Sequence, residues 1–344
     1  MTSNPVQNNL IGFKGLPQWG RLSAIPEDIS WQLFDARNAM GTRRWNWQKN
    51  FLFKHFDFYG VQSKAFTFGC GIVRLGLINS VFAYIDSPAT GLVHRQFNLP
   101  LDWGLKADYH PHGFTVWEHP FKKNHLIEST RTPNLRRLSM SFGQDFRALV
   151  DIDCTDDSTL ALCTPVANTG FAYAQKTTGT QVHGEVFING KVLNIDSRTD
   201  GCYHDWTAGF LRRETFWNWC CVTGARAEGE DLLAINLARG VNETSAHENE
   251  LWVNGQRFEL PLCHFDYQRD NVLQAWRVYS DCGRVDLQFT PLGQISDHRN
   301  LIILASRFNQ CYGTFTGQVI HPDTGETLVI NGLKGWCEDH YAKW

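Results

Sequence analysis

The feature that most restricts how this chain can fold is a faint internal repetition. Arg44-Trp45-Asn46-Trp47 returns as Phe216-Trp217-Asn218-Trp219, and Arg95-Gln96-Phe97-Asn98-Leu99-Pro100-Leu101 returns as Gln256-Arg257-Phe258-Glu259-Leu260-Pro261-Leu262. Gly201-Cys202-Tyr203-His204-Asp205 is echoed by Gly335-Trp336-Cys337-Glu338-Asp339. Each match is weak alone, but the three keep their order, and the separation between partners shrinks along the chain. Two diverged copies of one unit behave this way when the first carries extra loop residues. The stretch from Tyr109 to His125 has no later counterpart and supplies such a loop. This reading divides the chain into an arm over 1–40, a first unit over 41–208 and a second over 209–344.

The local pattern is that of strands. Trp45, Trp47, Phe51 and Phe53 share one parity, while Asn46, Gln48, Asn50 and Lys54 share the other, which predicts a strand from Trp45 onward. Asn189-Gly190 and Asn254-Gly255 each sit between alternating apolar residues, the setting of a type I′ hairpin turn, and Asn331-Gly332 is a third candidate. Only Pro26–Phe34 hints at a helix. The class is all-β. Each copy is long enough for an antiparallel barrel of about eight strands, a size that closes its own edges and holds one small ligand.

Composition narrows the partners. Of 344 residues, 42% are hydrophobic and 19% charged, which is a folded rather than a disordered balance. The net charge is −3, and Arg43-Arg44, Arg136-Arg137 and Arg212-Arg213 are isolated pairs, so a nucleic-acid partner is excluded. No run of 18 apolar residues spans a membrane, and residues 1–20 lack the pattern of a secretory signal. The ten cysteines are scattered, with no Cys-x-x-Cys pair, which suits reduced, buried thiols in a cytoplasmic monomer or homodimer.

Four groups of residues carry chemistry. The first is His204-Asp205 with its echo Asp339-His340: a carboxylate among aromatic neighbours is pushed toward its protonated form and becomes a proton donor. The second is Arg213 with Trp217, Asn218 and Trp219, where a polar amide between large rings needs a hydrogen-bond partner or a ligand. The third is Asn242 and Glu243 after Gly240, which either line a barrel mouth or form an ordinary charged hairpin. The fourth, His110, His112, Glu118 and His119, resembles a metal set, but Pro111 and Gly113 break the strand that would align it, so no metal is expected. The chain contains no phosphate loop, nucleophile elbow or dinucleotide fingerprint, and no cofactor is expected.

Several of these motifs together resemble a bacterial family known as domain of unknown function twenty-eight zero four. They are Trp45-Asn46-Trp47, Arg213 with Phe216-Trp217-Asn218-Trp219, Asn236 with Gly240-Val241-Asn242-Glu243, Ser306-Arg307-Phe308, and Glu338-Asp339-His340-Tyr341-Ala342-Lys343-Trp344. More distantly, Tyr203-His204-Asp205-Trp206-Thr207-Ala208-Gly209 is similar to the Asp-His-x-Trp-Gly signature of carotenoid 1,2-hydratase and AttH-like proteins. Here the order is His-Asp-Trp, with two more residues before the glycine. The resemblance implies two tandem lipocalin-like barrels and a hydratase-, cyclase- or isomerase-type enzyme for a hydrophobic unsaturated small molecule. Under it, Asp205, His204, Asp339 and Glu243 are the expected catalytic groups, and Trp206, Arg213, Trp217, Asn218, Trp219, Asn242 and His340 the expected substrate contacts. Asp205, Trp206, Trp217, Asn218 and Glu243 are expected to converge on one apolar cavity where the repeats meet. A lipid or isoprenoid carrier and a carbohydrate-directed protein are the alternatives.

Overall fold

The computed structural model describes residues 9–167, 169–226, 231–241, 246–301 and 304–344. They form three antiparallel sheets, as the strand patterning requires. The first has eight strands, in the order Gly20–Arg21, Thr159–Val166, Gly170–Thr178, Gly201–Gly209, Lys54–Gln62, Thr67–Arg74, Ile78–Ser87 and Gly91–Pro100. The second has seven, running from Lys191–Asn194 through Val182–Ile188, Phe146–Asp153, Leu135–Phe142, His125–Arg131 and Phe114–Glu118 to Leu105–Ala107. The third has nine and draws only on Glu214–Lys343, with Glu214–Ala225, Thr327–Lys343 and Ala305–Ile320 adjacent near its middle.

The first sheet is covered on both faces, so Gly170–Thr178 is buried at every residue instead of alternating. One face packs at one end on the second sheet, through Phe68, Ile72, Trp117, Ile127 and Val150. At the other end the same face is covered by the N-terminal arm, whose Leu10, Ile29, Trp31 and Phe34 meet Phe171, Tyr173 and Trp206. The opposite face looks toward the third sheet across Tyr203, Trp219, Tyr312 and Trp336. The third sheet curls around its own core of Val222, Leu251, Trp276, Leu287 and Phe315.

In both halves the first long strand pairs with the last: Lys54–Gln62 with Gly201–Gly209, and Glu214–Ala225 with Thr327–Lys343. The register corrects the first anchor of the repeat. Asp205 lies opposite Phe58 and Asp339 opposite Asn218, so Phe216-Trp217-Asn218-Trp219 corresponds to Phe56-Asp57-Phe58-Tyr59. This match and the Phe97/Phe258 match then have nearly equal separations.

The Trp45 segment is a helix, Asn46–Leu52, not the expected strand. It lies outside the sheets with no buried residue, so no sheet selects its alternation. Gln48 Oε1 accepts the Trp45 N–H at 2.9 Å, and the rings of Trp47 and Phe51, one turn apart, lie 6.2 Å from each other. The helix hinted at over Pro26–Phe34 reduces to a single turn, Trp31–Leu33. Asn189-Gly190 and Asn254-Gly255 make the expected hairpins, with positive φ at both residues of each pair. Asn331-Gly332 instead forms a bulge inside Thr327–Lys343, where the register slips opposite Phe315 and Thr316.

Candidate active site

Between the cavity-facing side of the first sheet and the outer face of the third lies a cavity of about 280 Å³. Its walls are mostly apolar and aromatic: Phe56, Phe58, Phe82, Trp217, Phe308 and Trp344. Strand alternation decides which residues reach it. Tyr203, Asp205 and Thr207 point in, while His204, Trp206 and Ala208 point to the opposite face.

The densest polar group is Asp205 with Lys176 and Glu248. Lys176 is the direct cross-strand partner of Asp205, and its ammonium lies 2.5 Å from Asp205 Oδ2 and 3.4 Å from Glu248 Oε2. Asp205 Oδ1 accepts a hydrogen bond from Thr207 Oγ1 at 2.8 Å. Glu248 is fixed from its backbone: Asn236 Nδ2 donates to the Glu248 carbonyl at 2.7 Å, and Asn249 Oδ1 accepts from the Ala238 N–H at 2.8 Å. Burial pushes the Glu248 carboxyl above its ordinary range against the pull of Lys176, and the Asp205 charge adds to the rise. Burial also works against a charged Lys176, but the two carboxylates outweigh it and raise its pKa.

A second polar group comes from the third sheet. Glu338 Oε1 accepts from Trp217 Nε1 at 2.8 Å and Oε2 from Gln310 Nε2 at 3.0 Å. The His340 ring packs 4.1 Å from Trp217, and its Nε2 lies 3.2 Å from Ser306 Oγ. Next to the first group, Asn236 Oδ1 accepts from both Tyr203 OH at 2.6 Å and Trp219 Nε1 at 2.7 Å.

Of the residues expected from sequence, Asp205, Trp217, Trp219 and His340 line the cavity. His204 does not: its Nε2 lies 3.0 Å from Asp57 Oδ1 behind the sheet. Trp206 packs there too, against Tyr173 and the Arg131 guanidinium, because it follows Asp205 directly on the strand. Asn218 and Asp339 lie on the inner side of the third sheet, where Tyr267 OH donates to Asp339 Oδ1 at 2.7 Å and Asn218 Nδ2 donates to Tyr267 OH at 3.0 Å. Arg213 is exposed and does not line the cavity. Asn242 and Glu243 lie outside the described residues. The expected convergence of Asp205, Trp206, Trp217, Asn218 and Glu243 therefore reduces, among the described residues, to Asp205 and Trp217.

The sequence reading did not single out Lys176 or Glu248, and Glu338 entered it only as part of the terminal motif. Lys176 has no motif; only the pairing of its strand with Gly201–Gly209 reveals it. The histidines of the loop do not converge. His110 faces Asp28 at 3.9 Å, and His119 Nδ1 accepts from the backbone N–H groups of Phe121 and Lys122. Among the described residues no group of three or more histidine, cysteine or acidic side chains is arranged to hold a metal. All ten cysteines are free, and all but Cys282 are buried.

Fold and site together define an all-β protein that encloses a hydrophobic cavity, with a buried acid–lysine–acid cluster, between two antiparallel sheets. The chain belongs to the family described as Domain of unknown function (DUF2804), whose model matches residues 36–344. No curated protein sequence matches it. Among solved structures it is similar to a putative AttH from Nitrosomonas europaea, at 13% identity and a TM-score of 0.46, covering 83% of this chain and 92% of that one. Kievitone hydratase from Nectria haematococca gives 11% identity and a TM-score of 0.47, covering 85% and 88%. CghA gives 9% identity and a TM-score of 0.48, with the same coverage.

Proposed function

We propose that the protein is a cofactor-independent enzyme that hydrates, cyclises or isomerises a carbon–carbon double bond of a hydrophobic small molecule held in the cavity. The observation that carries this reading is the buried Glu248 carboxyl, raised in pKa and set against Lys176 and Asp205 beside aromatic walls. A buried carboxyl whose pKa is raised holds its proton to higher pH than a free one and can serve as a general acid. Glu248 gives its proton to one alkene carbon, and the electron pair of the double bond becomes the new C–H bond. The cation left on the other carbon faces the rings of Trp217 and Phe58, whose quadrupoles stabilise it. Water adds there and loses a proton to the Glu248 carboxylate, or the electrons of an adjacent C–H bond form the shifted double bond as its proton passes to Glu248; both routes return the acid. Asp205, bonded to Lys176 and Thr207, holds the ammonium in place and supplies a fixed negative charge near the developing cation.

Native mass spectrometry of the freshly purified protein names the ligand class. Glu248→Gln then abolishes turnover of that ligand or its analogues while binding persists, and Asp205→Asn lowers turnover by about a hundredfold or more, the usual scale for a general acid–base group. The wild-type rate falls as pH rises through the Glu248 pKa, because the donor is lost. A ligand bound but never transformed by the wild type makes the protein a carrier. A polar sugar in the cavity overturns the hydrophobic-substrate reading.

A further inference from the structure

Around the turn over 75–78, whose Leu75 and Ile78 line the cavity, the described residues leave an apolar rim uncovered. Trp45 and Trp47, at the start of the exposed helix, are 71% and 63% exposed. Lys49 Nζ ties that helix to the carbonyls of Gln32 and Phe34, on either side of exposed Leu33. Gly15 packs against the Leu33 carbonyl, so the turn that carries exposed Phe13 and Leu16 adjoins the backbone of Leu33. On the helix's other side, the Phe51 carbonyl packs against Gly76, in the turn that carries exposed Leu77. The Leu77 carbonyl accepts the Leu101 N–H at 2.9 Å, and the rim continues to Trp103, whose ring lies 6.5 Å from that of exposed Phe121.

Single exposed apolar residues are ordinary on a protein surface; a connected series with three tryptophans is not. The charges along the rim are also selected. Lys14 follows Phe13, Arg43 and Arg44 precede Trp45, and Lys122 and Lys123 follow Phe121, in a chain whose net charge is −3. Of the nearby acids, Asp35 is bridged by Arg37 and Arg43, and Asp102 by Arg74, which leaves Lys14, Arg44, Lys122 and Lys123 against the exposed Glu118.

We propose that this rim docks the protein on the surface of an anionic lipid bilayer, with the end of the cavity that Leu75 and Ile78 line facing the membrane. Indole rings take up positions at the headgroup level, and interleaved cations gain from the negative surface potential. A second copy of the chain is a poorer occupant, since a two-fold contact through this face sets the cations of one copy against those of the other. The surface is inferred without reference to the chemistry assigned to the cavity, and its test does not depend on turnover.

The test is co-sedimentation of the full chain with phosphatidylcholine vesicles, with and without a third of phosphatidylserine. The expected result is binding to the phosphatidylserine vesicles that weakens with added salt, with a blue shift of tryptophan emission. Trp45→Ser/Trp47→Ser lowers the partition coefficient about tenfold or more, and Arg43→Ala/Arg44→Ala lowers it for the anionic vesicles alone. The substituted tryptophans are exposed, so the melting temperature stays put. Equal binding by wild type and the double tryptophan variant overturns the proposal, as does failure of the wild type to bind anionic vesicles. A wild-type dimer in sedimentation equilibrium that the tryptophan variant dissociates assigns the rim to a second copy and also overturns it.

Discussion

Asp57, Arg131, His204 and His55 lie behind the candidate site, on the face of the first sheet turned away from the cavity, and all are buried. Arg131 Nη1 is 2.6 Å from Asp57 Oδ2, Ser129 Oγ donates to the same oxygen at 2.8 Å, and His204 Nε2 lies 3.0 Å from Oδ1. Burial favours a protonated Asp57, but Arg131 and His204 outweigh it and hold the carboxyl well below its ordinary range. Burial pushes His55 down to about 3 and lowers His204 as well. A carboxylate with a depressed pKa stabilises the fold above about pH 4, its unfolded value, and that contribution is lost as pH falls toward the folded pKa. For the two histidines the unfolded chain takes up protons below about pH 6.5 while the folded chain does so only at lower pH, so stability starts to fall there. Urea melts between pH 8 and 4 are expected to show this early loss, and His55→Leu to make it shallower. The group facing His55 includes Asp57, Arg131, Arg74 and His204, so an unchanged slope in the variant would assign the loss to those neighbours.

At the scale of elements, two strands of the first sheet give up side chains where large rings pack beside the cavity. A Cβ on Gly60, in Lys54–Gln62, meets the Trp336 ring at 2.6 Å, and one on Gly69, in Thr67–Arg74, meets the Tyr84 ring at 2.5 Å. The Trp336 ring of the third sheet and the Tyr84 ring of the adjacent strand occupy the space where those side chains would stand. Gly60→Ala is expected to cost about 1–3 kcal/mol by overpacking, and to displace Trp336 from the 2.8 Å hydrogen bond that its Nε1 donates to Tyr84 OH. Chemical denaturation measures the first effect and indole fluorescence the second.

Such glycines read in sequence as punctuation, which is one reason the site was only partly legible. The all-β class, two of the three Asn-Gly turns, and Asp205, Trp217, Trp219 and His340 beside the cavity follow from local pattern and resemblance. Parity separates Asp205 from Trp206 and Trp217 from Asn218 once a strand is assumed, yet sequence reading set all four on one cavity. Lys176 and Glu248 depend on which distant strands pair, and nothing local encodes that. The Trp45 alternation was misread because a period of two in exposed residues has no core to answer to.

Across the whole molecule, a chain of hydrogen bonds crosses the interface between the first and third sheets. Tyr84 OH donates to Gln310 Oε1 at 2.6 Å, Gln310 donates onward to Glu338, and Gln62 Nε2 donates to the Gly335 carbonyl at 3.2 Å. Away from the cavity, Trp252 Nε1 donates to the Ser158 carbonyl at 2.8 Å, and Arg21 of the first sheet bridges Glu250 next to the Glu248 segment. Ties at both ends of the interface predict one cooperative unfolding transition for both halves. Calorimetry of the wild type should give a single peak; Tyr84→Phe, which leaves the buried Gln310 oxygen unsatisfied, is expected to lower stability by roughly 1–3 kcal/mol. Two separated peaks in the wild type would mean that the halves unfold independently.

The strand Thr327–Lys343 stands in the interior of the third sheet, with Glu214–Ala225 on one side and Ala305–Ile320 on the other, and it carries Glu338 and His340. A ribosome makes it after all of its neighbours in that sheet. Until it emerges, Glu214–Ala225 and Ala305–Ile320 have no partner on the sides that it will occupy, and the cavity lacks one of its walls. A nascent chain can complete the first and second sheets before Glu214–Lys343 is made, but the cavity is not yet formed at that stage. Pairing across so long a separation is slow to form, so the unfinished third sheet passes through a period of exposed edges. The cavity wall is thereby tied to synthesis of this strand, and nonsense lesions anywhere before Thr327 should be as damaging to the third sheet as early ones.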